Sequence, residues 1–226
     1  MPERPIIYFD LASPYAYLAV ERGETVLGQP VELEPVLLGA MFPRRGWGSW
    51  ALTDQRQAGM NEVEKRARRY GLPPLVWRSD WPANSLAANR AATWAKFQGA
   101  ARPFAHAVYQ RHFAQGADIA DLEVLAEAAE EVGLDPDQLR GAVKRQQIKD
   151  ALRQATDGAW EAGVRGVPSI RVADRIFYGD DQLEDAAAEL ASQSVHELGD
   201  GQLHLTFPRR GSPQLTPDRA HERVRE

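Results

Sequence analysis

The chain has 226 residues, 43% of them apolar and 26% charged, a balance that supports a substantial core and excludes a disordered chain. A formal net charge of −5 and a pI near 5.6 exclude sequence-independent nucleic-acid binding, which needs a concentrated basic surface. With no cysteine there is no disulfide framework, no thiolate nucleophile and no cysteine-based metal site.

Taken in chain order, Ile6-Ile7-Tyr8-Phe9 predicts a strand over about 5–10. A helix over roughly 14–27 should follow, with Pro14 in its first turn and Gly28 and Pro30 stopping it. Val31 to Leu38 reads as a second strand, because Glu32 and Glu34 alternate with Leu33. Such a start calls for parallel strands joined by a right-handed crossover. From Gly39 to about Gly163 the chain reads as mostly helical, with alanine-rich segments at 84–99, 102–115, 121–132 and 145–162. Asn84 or Ser85, Asp121 and Asp135 are suitable caps, the last preceding Pro136 and a short helix over 136–143. Arg44 to Ser49 reads as a glycine-broken loop, and Lys65, Arg66, Arg68 and Arg69 as a solvated helix side.

Ser169–Val172 and Ile176–Tyr178 form a predicted hairpin, followed by a helix from Asp180 or Asp181 to about Ala191. Beyond it the chain is polar; 202–207 offers one more strand, and the last fifteen or so residues read as disordered. The first strand leaves no room for a signal peptide, and no apolar run approaches the ~20 residues of a membrane helix. A cytoplasmic protein without a membrane or nucleic-acid partner is expected.

Candidate chemistry gathers at three places. Ser13, at the strand–helix junction, reads as an ordinary N-cap or as a donor to an anion held at the helix N-terminus. The five histidines are scattered, so neither a catalytic triad nor a metal-ligand spacing can be built, and Ser13 is better cast as the stabiliser of another molecule's thiolate. An extended Val167 before Pro168 could present its backbone N–H and C=O to a peptide. Gly179-Asp180-Asp181 is a helix cap or a cradle for a zwitterion such as the γ-glutamyl end of glutathione. Trp47 and Trp50 could line an apolar pocket, with Tyr15 and Asn84 as further lining candidates.

Together these pieces resemble the DsbA-like thioredoxin superfamily, and within it the cysteine-free branch of 2-hydroxychromene-2-carboxylate isomerase and kappa-class glutathione transferase. The matching stretches are Tyr8-Phe9-Asp10-Leu11-Ala12-Ser13-Pro14-Tyr15-Ala16-Tyr17-Leu18, Tyr70-Gly71-Leu72-Pro73, Asn84-Ser85 with Ala88 and Arg90, Gly116-Ala117-Asp118-Ile119, Gly163 to Ser169 and Phe177 to Leu183. The resemblance implies an α/β, thioredoxin-like domain formed by 1–38 and 164–192, interrupted by an all-helical insertion over 39–163; it does not reach 193–226, which composition alone makes a partly disordered extension. It implies a cis Val167–Pro168 bond and a serine facing the sulfur of bound glutathione, or of another low-molecular-weight thiol. Val167 should then pair with the cysteinyl unit and the Gly179-Asp180-Asp181 turn should meet the γ-glutamyl end. Asp180, where the family has asparagine, should add a negative charge beside the glutamyl carboxylate. The implied activity is a thiol-dependent isomerisation of a small aromatic catabolite. A kappa-type transferase and a non-catalytic thiol- or peptide-binding protein are alternatives, and a homodimer is left open.

Overall fold

A computed structural model describes residues 4–46 and 48–201, with side chains described up to residue 193. Strand β1 (Ile6–Phe9) lies inside a four-stranded sheet of order β2-β1-β3-β4, where β2 is Glu32–Pro35, β3 Ser169–Val172 and β4 Arg175–Tyr178. β1 runs parallel to β2 and antiparallel to β3, with Ile7 opposite both Leu33 and Ile170. The hairpin β3–β4 closes the far edge, pairing Ser169 with Tyr178. All four β1 residues are buried, as a strand covered on both faces requires.

Helix α1 (Pro14–Leu27) crosses between β1 and β2 and ends at Gly28, whose φ of 68° is the left-handed conformation glycine adopts without penalty. Between β2 and β3 lie seven helices: α2 (Leu38–Arg45), α3 (Arg56–Arg69), α4 (Leu86–Phe97), α5 (Ala101–Tyr109), α6 (Leu122–Glu131), α7 (Pro136–Ala142) and α8 (Gln146–Glu161). Their alanines are structural as well as helix-forming: Ala88, Ala91, Ala92 and Ala95 of α4 and Ala105 and Ala107 of α5 are all buried, so small side chains set the close approach of these helices. Asp121 and Asp135 cap α6 and α7 as expected, accepting from Glu123 and from Asp137 and Gln138. No helix among the described residues is long and apolar enough to cross a membrane.

Four elements differ from expectation. The second strand stops at Pro35, because Leu37 N–H donates to Thr156 Oγ1 at 3.0 Å and Leu38 N–H to Asp10 Oδ2 at 2.9 Å, and α2 begins at once. Arg44 and Arg45 are the last turn of α2 rather than loop, with Gly46 as its cap. The expected helix over 102–115 divides into α5 and a wider π-helical turn at Gln110–Ala114. At the other end, α9 (Leu183–Gly201) runs about ten residues past its predicted stop into the polar extension. The strand expected over 202–207 and the disorder expected after it lie outside the described residues.

Candidate active site at the N-terminus of helix α1

Ser13 caps α1 from an extended backbone (φ −89°, ψ 115°), its Oγ accepting from the Ala16 N–H at 3.2 Å. Its carbonyl accepts from Tyr17 at 3.0 Å. Pro14 has no N–H, and the Tyr15 N–H has no partner among the described residues. Since Oγ only accepts in the cap, its own proton is left to donate elsewhere. Structure and candidate chemistry therefore coexist in one hydroxyl.

Beneath the cap a buried polar frame fixes the loop. Asp10 is 2% exposed and receives the Ala12 N–H on one oxygen and the Leu38 N–H on the other, each at 2.9 Å. Burial pushes the Asp10 carboxyl upward, and those two backbone donors pull against it. Fully buried Asn89 accepts from Leu11 N–H at 3.0 Å and donates to the Val36 carbonyl and to Ser85 Oγ, both at 3.2 Å. Tyr109 donates its hydroxyl to the Asp10 carbonyl at 3.1 Å. Three helices, α2 through Leu38, α4 through Asn89 and α5 through Tyr109, thus hold the turn that presents Ser13.

Ser13 opens on a cavity of about 390 Å³. Its wall is largely apolar, with Leu37, Leu38, Phe42, Trp50, Leu52, Trp81 and Leu86, and its polar side chains are Asp10, Ser13, Ser49, Asn84 and Ser85. Trp50 and Trp81 meet at 5.3 Å between ring centroids, and Trp77 supports Trp81 at 4.8 Å. Trp81 is also followed by a cis proline, Pro82. Of the expected lining residues, Trp50 and Asn84 are in the wall and Trp47 lies outside the described residues. Tyr15 is not in that wall: its ring packs edge-on against Trp50 at 6.1 Å, under the Arg66 guanidinium at 5.5 Å.

The remaining candidates form a second group that does not line this cavity. The Val167–Pro168 bond is cis, and neither backbone polar group of Val167 is hydrogen-bonded among the described residues. Gly179 N–H donates to the Pro168 carbonyl at 3.0 Å, tying the proline loop to the acidic turn. Gly179 has φ 114°, and a Cβ there would sit 2.4 Å from Asp181 Oδ1, so only glycine fits.

Asp180 departs from the expected free negative charge. It is 1% exposed and accepts from Arg66 Nη1 at 2.8 Å and from the Tyr70 hydroxyl at 3.2 Å. Burial pushes its carboxyl up, while Arg66 and Tyr70 pull it back. Burial likewise opposes the Arg66 charge, yet Glu62, Asp180 and Asp181 outweigh it and hold the guanidinium protonated. Asp181, by contrast, keeps a half-exposed carboxylate 3.3 Å from Arg66.

Arg66 is the residue that sequence reasoning missed. It is not part of a solvated face but joins the two groups, touching Tyr15 on one side and the Asp180–Asp181 turn on the other. Glu62, Arg66 and Tyr70 recur every four residues and so lie on one stripe of the chain leaving α3. That spacing was the available signal. Asn89 was likewise legible as one polar residue, four after Ser85, on an alanine face.

A family model described as the DSBA-like thioredoxin domain matches residues 6–191. A 2-hydroxychromene-2-carboxylate isomerase of Sphingobium xenophagum is 31% identical over 189 residues, covering 78% of this chain and 92% of its own. Human glutathione S-transferase kappa 1 is 22% identical over 202 residues, covering 81% and 89%. A solved 2-hydroxychromene-2-carboxylate isomerase structure superposes with a TM-score of 0.76 at 22% identity, over 86% of this chain and 99% of that one. The chain belongs to the DsbA-like thioredoxin family, in the branch that holds 2-hydroxychromene-2-carboxylate isomerase and the kappa-class glutathione transferases.

Proposed function

We propose that this protein is a cytoplasmic isomerase of a small aromatic catabolite that uses glutathione, or a closely related thiol, as its cofactor. One observation carries the reading: in a chain without cysteine, a buried serine hydroxyl with an undonated proton stands at a helix N-terminus beside an apolar cavity. The family's redox chemistry needs a cysteine there, so the site is suited to serving a sulfur that comes from outside.

The residues present fit such a guest. Val167 offers an unpaired backbone N–H and C=O for a strand-like rung with a peptide, and Asp181 offers a half-exposed carboxylate for an ammonium. Bound thiolate would supply a nucleophile able to add reversibly to a conjugated carbon, permitting rotation about the bond before elimination. Ser13 stabilises negative charge by donating its hydroxyl proton, aided by the Tyr15 N–H and the positive end of the α1 dipole. Trp50, Trp81 and Leu86 hold the aromatic ring and exclude water, which strengthens that charge stabilisation. Asp10 and Asn89 keep the donor in place.

The test is turnover of 2-hydroxychromene-2-carboxylate with glutathione, following both the organic product and the thiol. Isomer formation with the glutathione fully recovered is expected. Stoichiometric loss of glutathione would make the protein a kappa-type transferase, and no reaction with any thiol would leave a binding protein.

A further inference from the structure

We propose that the pocket between α4 and α8 is an anion site that receives the carboxylate of the aromatic acid, with Arg90 and Lys149 as its ligands; this rests on the isomerase reading above. The pocket measures about 280 Å³ and lies beside the Ser13 cavity, since Leu37 and Leu86 belong to the walls of both. It is lined by four cationic side chains and two carboxylates, in a chain whose net charge is −5. Arg44 pairs with Asp157, and Arg153 with Asp150 at 3.0 Å, so two of the cations are neutralised within the protein.

Arg90 and Lys149 are the remainder. Both are half-buried, and neither side chain has a hydrogen bond, ion pair or ring contact among the described residues. Three other partly buried cations are matched by carboxylates: Arg22 with Glu184, Arg66 with Asp180, and Lys96 with Glu32 and Glu34. A partly desolvated cation without a counter-ion is unfavourable, and an incoming carboxylate removes that penalty. Helix α8 adds to the same field, because it starts at Gln146 in the pocket wall with no side-chain cap on its first N–H groups.

The neighbouring cavity supplies the reason for a carboxylate. An aromatic acid brings an apolar ring and one fixed negative end. The ring suits the wall around Trp50 and Trp81, but the one ionisable side chain among the described residues of that wall is Asp10, an acid that offers no positive charge to an anion. The charged end is therefore directed across Leu37 and Leu86 to Arg90 and Lys149.

Tryptophan fluorescence of Trp50 and Trp81 can follow trans-cinnamate and its uncharged methyl ester, without any thiol or turnover. Wild-type protein should bind cinnamate about tenfold more tightly than the ester or better, as loss of a charge-assisted bond implies. R90Q and K149Q should each shrink that preference severalfold, R90K should retain most of it, and the ester should bind every variant alike, which also shows the cavity intact. Equal binding of acid and ester, no cinnamate binding, or an undiminished preference in both R90Q and K149Q would overturn the proposal. Failure of the isomerase reading is separate: a protein that selects the acid through Arg90 but turns nothing over sinks that reading alone. An active isomerase indifferent to the carboxylate sinks this one alone.

Discussion

A serine at a helix cap does two separable things, and substitution can part them. Ser13→Ala removes both the acceptor for Ala16 N–H and the free donor. It should cost about 1 kcal/mol of stability as a lost cap and, as a lost bond to a charged group, about 1.5–3 kcal/mol in the transition state, roughly ten- to a hundredfold in rate. Ser13→Asp keeps the acceptor but has no proton to give, so its urea midpoint should stay near wild type while turnover falls at least as far. Wild-type turnover in Ser13→Asp would remove Ser13 from the chemistry. The two aspartates of the acidic turn divide in the same way. Asp180→Asn breaks a buried pair with Arg66 and should destabilise the fold by about 1–3 kcal/mol. With Arg66 then left to Asp181, glutathione should bind more weakly, not more tightly. Asp181→Asn should leave stability within about 0.5 kcal/mol, as expected for a half-exposed group, and weaken glutathione severalfold. Calorimetric titration checks both, and tighter binding by Asp180→Asn would show that its charge is not satisfied by Arg66.

At the scale of elements, α3 buttresses the cavity closely at Gly59, where a Cβ would lie 2.3 Å from the Trp50 ring. Gly59→Ala must therefore displace Trp50, at a cost of about 1–3 kcal/mol from overpacking, offset in part by alanine's better helix propensity. Urea denaturation measures the loss, and an unchanged midpoint would mean that the ring moves freely. This contact also marks where sequence reading ran out. β1, α1, the caps Ser13, Asp121 and Asp135 and the β3–β4 hairpin were legible because their signals are local: periodicity, a capping side chain, a proline at the first turn. The end of β2 at Pro35 was not, because its backbone beyond that point is satisfied by Asp10 and Thr156, 28 and 119 residues away from their partners. Arg66 failed for the same reason. Its neighbours in sequence, Lys65, Arg68 and Arg69, made it look solvated, while its decisive partners, Asp180 and Asp181, lie at the other end of the chain. The residues named for the candidate site, Ser13, Val167 and Gly179, were legible as candidates because they sit at element ends, where local rules apply.

For the whole molecule, the thioredoxin-like part and the helical insertion share one core. Buried residues run without interruption from Ile7, Phe9 and Leu18 through Ala91 and Phe104 to Leu125, Leu139 and Ile170. Polar ties cross the same boundary, Asn89 of α4 holding Leu11 and Val36, and Tyr109 of α5 holding Asp10. An insertion built this way cannot open without exposing the face of β1 and α1 that it covers, so local unfolding of the helices alone should be as costly as global unfolding. Native-state hydrogen exchange in rising urea tests this directly. The amides of Ile7 and Ile170 in the sheet and of Trp94 and Val108 in α4 and α5 should converge on one opening free energy, within about 1 kcal/mol, and show one urea dependence. A lower, separately converging set for α4 and α5 would mean that the insertion unfolds as its own unit. The wall of the Ser13 cavity, drawn from both parts, would then be only as stable as the weaker of them.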